Sequence, residues 1–292
     1  MSRRLLRACG ALAAGGALLL AGCSGSDGER PDGGGGAGGK AGPTSGTSAP
    51  PHTSPNENPS PGTSQTPTTP TASAAPTGPD FTPDPSRAPR TTADAGRLAL
   101  AIVAGPDAWG PDYVKRTPFL SDPGTWPVLD ANCTWGSGPR PRTVLSSVTA
   151  YSEIPAAGGR GALRVAATVT VHRTESDADW EMAETLEEAL RCPAQRLRQG
   201  ERVTDLMSLG SPYGVGGNTT STDSLTERGT YLADAFKGRQ FYSWFQSRIG
   251  QVTVATVVKG APGYTETDTN PAQVRANVTM QERIKAELGA QS

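Results

Sequence analysis

Between Ala162 and Cys192 the chain spells out a strand, a turn and a helix, and this stretch restricts the fold more than any other. Leu163, Val165, Ala167, Val169 and Val171 alternate with Arg164, Ala166, Thr168, Thr170 and His172. That period of two predicts a strand with one buried face, because successive side chains of an extended chain point to opposite sides. After a turn at Arg173-Thr174-Glu175, the run Ser176-Asp177-Ala178-Asp179 offers an N-cap with an acid three residues on. Trp180, Ala183, Leu186 (or Glu187) and Leu190 follow at helical spacing, and Cys192-Pro193 ends the helix. A strand feeding a helix that delivers a cysteine is an α+β packing unit.

The flanking sequence extends this pattern. Asp94–Val103 predicts a short helix with Leu98 and Ile102 on one side, stopped by Gly105-Pro106. Trp109 to Trp135 reads as a loop-rich stretch punctuated by Pro111, Pro118, Pro123 and Pro127. Val203–Leu209 predicts a second strand, and Ser211–Ser224 a glycine- and polar-rich loop. A meander follows: Thr230–Phe236, Phe241–Ser247 and Val252–Val258, with turns at Lys237-Gly238-Arg239 and Ile249-Gly250. Asn270-Pro271 supplies a cap and an N1 proline for a closing helix with the stripe Val274, Val278, Ile284 and Leu288. The expected fold is α+β, an antiparallel or mixed sheet with helices packed on one face. Residues 93–292 are long enough to be one domain with its own core, and contain no internal repeat.

The N-terminal part is of another kind. Arg3, Arg4 and Arg7 precede an apolar run from Ala8 to Leu20, too short for a permanent membrane span. Leu20-Ala21-Gly22-Cys23 resembles the bacterial lipobox, so residues 1–22 are expected to be a lipoprotein signal peptide and Cys23 the lipidated residue. The competing reading is an ordinary secretory signal with an incidental cysteine. Ser2-Arg3-Arg4-Leu5-Leu6 leaves both the general secretory and the twin-arginine route open. Residues 23–92 are Gly, Pro, Ser and Thr with almost no apolar side chains, which predicts a disordered tether reaching ~45–50 Å as a flexible coil. The site of action is therefore expected at the outer face of the cell membrane, lipid-anchored and extending into the cell wall.

Four cysteines are present: Cys9, Cys23, Cys133 and Cys192. Cys9 leaves with the signal and Cys23 carries lipid, which leaves Cys133 and Cys192 to pair in an oxidising compartment. A zinc site is the poorer alternative, because His172 is the single histidine of the folded region. No metal or other cofactor is expected. The full chain has a net charge of −1, and loss of the three leader arginines leaves 24 basic against 28 acidic residues. With no basic stripe, nucleic acid is not an expected partner.

Candidate chemistry is sparse. His172 suggests a general base, but a histidine ending a strand also serves as a surface residue or a satisfied hydrogen-bonder. Gly210-Ser211-Pro212-Tyr213-Gly214-Val215-Gly216-Gly217 is glycine-rich but lacks the Gly-Lys-Ser/Thr ending of a phosphate loop. Glu187-Glu188 and Asp177 with Asp179 read as glycosidase acids or, more simply, as a solvated helix face. Trp109, Tyr113, Phe119, Trp126 and Trp135 either cap the core or stack sugars.

The order of these elements resembles the PknH-like extracellular sensor domain. Asp130-Ala131-Asn132-Cys133, Val169 through Cys192-Pro193, and the hairpin Phe245–Val258 carry the likeness, which covers most of the folded region. It implies an α+β domain with a wide, non-catalytic cleft for an extracellular ligand. That family often has two disulfides, whereas only Cys133 and Cys192 are at hand here. The match assigns no residue to a ligand. The expected function is thus a membrane-anchored binding module for an unknown extracellular ligand or envelope protein. A structural protein contacting wall polymer and a hydrolase of unrecognised type are the alternatives.

Overall fold

A computed structural model describes residues 80–212 and 221–289. The expected signal peptide, Cys23, the tether as far as residue 79 and most of the glycine-rich 210–217 stretch lie outside the described residues. The fold is α+β and, in chain order, begins with α1 (Thr92–Ile102) and the short α2 (Pro106–Trp109). Strands β1 (Val114–Leu120), β2 (Thr125–Leu129), β3 (Trp135–Pro139), β4 (Val144–Ile154) and β5 (Leu163–His172) come next. Then come α3 (Glu175–Arg191), β6 (Gln195–Arg198), β7 (Glu201–Pro212), β8 (Asp223–Ala233), β9 (Gln240–Ile249), β10 (Val252–Lys259) and α4 (Glu266–Leu288). Eight strands form one sheet in the order β1-β4-β5-β10-β9-β8-β7-β6, and every pairing in it is antiparallel. β2 and β3 pair separately as a hairpin.

The two sides of the sheet follow from the pleat. Val165, Val169 and Val171 of β5 stand opposite Val258, Val254 and Val252 of β10. They pack with Ala99 and Ile102 of α1 and Ala276, Met280 and Ile284 of α4 in the main core. The alternate residues, Thr168 and Thr170 beside Ala255 and Thr253, face the other way. There Thr253 donates to Glu181 of α3 at 2.6 Å. Helices therefore cover both faces, not one as expected. The reason is visible in β5, whose second face carries the short residues Ala166 and Thr170 and is buried too. Small side chains let α3 fold back over them.

Other boundaries move for equally local reasons. α3 begins two residues earlier than expected, because Thr174 and not Ser176 is its cap, accepting from the Asp177 amide at 3.0 Å. α4 begins at a Thr265/Asp268 capping box, so Pro271 lies inside the helix, where it removes one i→i−4 bond from the second turn. Ile284 and Leu288 are buried as expected, but Val274 and Val278 are exposed. Their place on the sheet-facing side is taken by Gln273, Asn277 and Gln281. Gln273 accepts from Ser243 Oγ at 2.8 Å, and Gln281 donates to Ser247 Oγ at 3.0 Å. The proline-rich stretch after Trp109 is not loop but holds β1 and β2. β1 is a sheet edge and β2 belongs to a two-stranded hairpin, positions where a missing N–H is tolerated. The meander is present, with Gly238 (φ 90°) and Gly250 (φ 57°) at its two turns. β8 starts seven residues before the expected strand, which shortens the predicted 211–224 loop.

Residues 80–91, expected to belong to the tether, are fixed to the domain. Phe81 packs on the main core, the Asp84 amide donates to Leu288 O at 2.8 Å, and Gln251 Nε2 donates to Pro89 O at 3.1 Å.

Candidate ligand pocket

The α3 face of the sheet is only partly covered by its helix, and the uncovered part is the floor of a cavity of about 590 Å³. The register arranges that floor in cross-strand rows, each ~7 Å from the next along the strands. Ser147, Thr170 and Thr253 form one row; Thr149, Thr168, Ala255 and Gln246 the next. Tyr151, Ala166, Val257, Trp244 and Glu227 form a third, and Arg164, Lys259 and Tyr242 a fourth. The hydroxyls are cross-linked, Ser147 to Thr170 at 3.1 Å and Thr149 to Thr168 at 2.9 Å. The floor thus grades from hydroxyls through aromatic rings to cations.

The walls come from two elements held together by a disulfide. Cys133, just before β3, bonds Cys192 at the end of α3, with the Cα atoms 5.5 Å apart. The expected pairing is therefore present. Around it, the Arg196 amide donates to Cys133 O at 2.8 Å and Trp135 Nε1 donates to Gln195 Oε1 at 2.8 Å. Asp130 Oδ1 receives the Asn132 and Thr134 amides at 2.9 and 2.8 Å, shaping the turn that presents Cys133. These bonds set the β2–β3 hairpin beside the helix, and Trp126 and Trp135 from it line the cavity. The aromatic set in the sequence divides accordingly. Trp109 is fully buried, with Tyr113 and Phe119 packed against the same core, while Trp126 and Trp135 are half-exposed at the cavity.

The opposite wall is α3. Ala178, Met182 and Ala189 are its buried apolar residues, while the expected Trp180 and Leu190 are 67 % and 82 % exposed. The helix turns Glu181, Thr185 and Glu188 to the cavity instead. Glu181 fixes that rotation: Oε2 binds His172 Nε2 and Thr253 Oγ1, both at 2.6 Å, and Oε1 accepts from Gln246 at 3.3 Å. His172 is accordingly a buried hydrogen-bonding residue; its Nδ1 touches no hydroxyl or thiol that it would activate. The adjacent carboxylates separate. Glu187 pairs with Arg191 on the surface at 3.0 Å, Asp177 accepts from the Thr174 hydroxyl at 2.8 Å, and Asp179 lies 3.4 Å from Arg248.

Glu188 and Glu227 both line the cavity, and in each burial pushes the carboxyl up to about 7. Neighbouring carboxylates add to the rise, Glu184 acting on Glu188 and Glu188 on Glu227. At the far end Glu201 behaves oppositely. Burial alone would raise it, but hydrogen bonds from Arg198 and Lys259, with the charge of Lys259, outweigh that and hold it down at about 2. Among the described residues no group of His, Cys, Asp and Glu is arranged to hold a metal ion. No described helix is long and apolar enough to cross a membrane.

The floor residues Ser147, Thr149 and Tyr151 belong to β4, a strand outside the sequence expectation. Their alternation with Val148 and Ala150 is the signal that marks it. No protein-family model and no curated protein matches the chain.

Proposed function

We propose that this protein is a non-catalytic binding module, a lipoprotein held at the outer membrane face through Cys23, whose C-terminal domain takes a small extracellular ligand. The observation that carries the reading is the cavity itself: about 590 Å³, within the size range of small-molecule sites, with Trp126, Trp135 and Trp244 around a hydroxyl floor. Rings beside ordered hydroxyls suit a ligand with a flat or sugar-like body. The likeness to PknH-like sensor domains points the same way. Binding suits the site better than hydrolysis. Glu188 and Glu227 are shifted in the same direction, whereas a glycosidase needs one carboxyl protonated and its partner ionised.

A thermal-shift and tryptophan-fluorescence titration of the oxidised protein against wall fragments, sugars, lipids and small metabolites tests the proposal. A ligand bound only by the folded state at a hundred times its Kd stabilises by about 2.7 kcal/mol. The expected result is a saturable shift for one class, lost in Trp126→Ala. Co-sedimentation with insoluble wall and no saturable small ligand would move the protein to the structural reading.

A further inference from the structure

The fourth floor row and its surroundings are cationic on the side that meets the cavity. Arg116, Arg164, Arg198 and Lys259 all line it. Their carboxylate, Glu201, does not; it lies behind them, 7 % exposed. Glu201 Oε1 binds Arg164 at 3.2 Å and also Arg198, and Oε2 binds Lys259 at 3.0 Å, so both its oxygens are occupied. Glu153 stands across from Arg164 in register but makes no ion pair with it. Even with both acids set against the four cations, two positive charges are left over at this end. Donors are left over as well. A guanidinium has five N–H groups and an ammonium three, and Arg164 Nε is buried with no partner. Arg116 stands over the Tyr151 ring, 5.6 Å from its centre, which ties the cationic end to the aromatic row.

We propose that this end of the cavity is an oxyanion subsite, and that the ligand is a small organic anion. Its carboxylate or phosphate meets Arg116, Arg164 and Lys259 while its ring-bearing body lies against Tyr151, Trp244 and Trp126. The proposal rests on the cavity being a ligand site and adds the charge of what it takes. Guanidinium groups beside a desolvated ammonium match carboxylate and phosphate better than any neutral ligand. The Lys259 ammonium is itself held down by burial, with Arg198 and Arg116 adding to the drop, as expected where positive charge is in excess. The cavity's own carboxylates, Glu181, Glu184 and Glu188 of α3 and Glu227 of the aromatic row, make no ion pair with these four cations among the described residues, where Glu201 is the paired acid.

The test compares two fluorescent probes that share a ring system: 8-anilinonaphthalene-1-sulfonate and the uncharged N-phenyl-1-naphthylamine. The full chain is titrated with each. Arg116→Gln and Lys259→Gln are expected to weaken the sulfonate about tenfold, leaving the neutral probe within about twofold. Raising NaCl from 20 to 500 mM should act in the same selective way. Lys259→Gln strips one partner from buried Glu201, so Arg116→Gln, which bonds no buried carboxylate, guards against a folding defect. Arg97→Gln, on the outer surface of α1, serves as the control. Displacement of the sulfonate by phenyl phosphate or by benzoate then tells the two oxyanions apart. If the neutral probe binds and Trp126→Ala weakens it, yet neither charge variant lowers sulfonate affinity, the oxyanion subsite is wrong and the pocket stands. If neither probe binds, both readings fail.

Discussion

Glu181 and Glu201 are both carboxylates in contact with the same sheet, and their partners give them different work. Glu181 is satisfied by neutral donors and a histidine, and it fixes the rotation of α3. His172→Ala removes one of its buried partners. That should lower stability by about 1–3 kcal/mol in denaturant melts while leaving the affinity of a pocket probe unchanged. Loss of a measurable turnover would instead support a hydrolase. Glu201 is a charge neutraliser. Sequence reading singled out His172 but neither carboxylate, because the partners of Glu181 come from β5, β9 and β10 and those of Glu201 from β5, β6 and β10.

At the scale of elements, the disulfide decides the geometry of the pocket wall. Cys133–Cys192 closes a loop of 59 residues, for which the chain-entropy estimate is roughly 4 kcal/mol. Cys133→Ser is expected to lower the melting temperature markedly, free Cys192 for alkylation and loosen the hairpin. The hairpin effect reads out as a red shift of tryptophan emission, since Trp135 sits beside the bridge. A native protein whose Cys192 is already alkylatable would overturn this. The strand-to-helix unit at 163–192, the meander and the α4 end were legible because their apolar periodicity is set by local packing. What was not legible has a common cause. The cavity side of β4 carries Ser147, Thr149 and Tyr151, the cavity side of α3 Glu181, Thr185 and Glu188, and the sheet side of α4 buries Gln273, Asn277 and Gln281. Hydrogen bonds from other strands make those residues internal, and no hydropathy pattern contains such partners.

For the whole molecule, the opposed carboxyl shifts give stability a bounded pH range. Glu201 is held at about 2, below its ordinary value, so its contribution is complete above pH ~4.5 and is lost as pH falls toward 2. Glu188 and Glu227 are raised to about 7, so the folded state is favoured most below pH ~4.5 and loses that advantage as pH rises through 7. For Glu227, the better buried of the two raised carboxyls, a shift of this size amounts to roughly 3 kcal/mol. Stability should therefore peak near pH 4.5–5. Glu227→Gln should flatten the alkaline limb and be more stable than the parent protein at pH 8 in chemical melts. An unchanged slope in that variant would show Glu227 to be ionised throughout.

The clasp between Phe81, Asp84 and the end of α4 brings the first and last described residues of the domain together. Within the described residues the two ends meet at one point, on the α1 and α4 side of the sheet and opposite the α3 side that carries the cavity. Such a domain can be inserted whole into another chain, or its ends joined and new ones opened elsewhere, without touching the floor or the tryptophan wall.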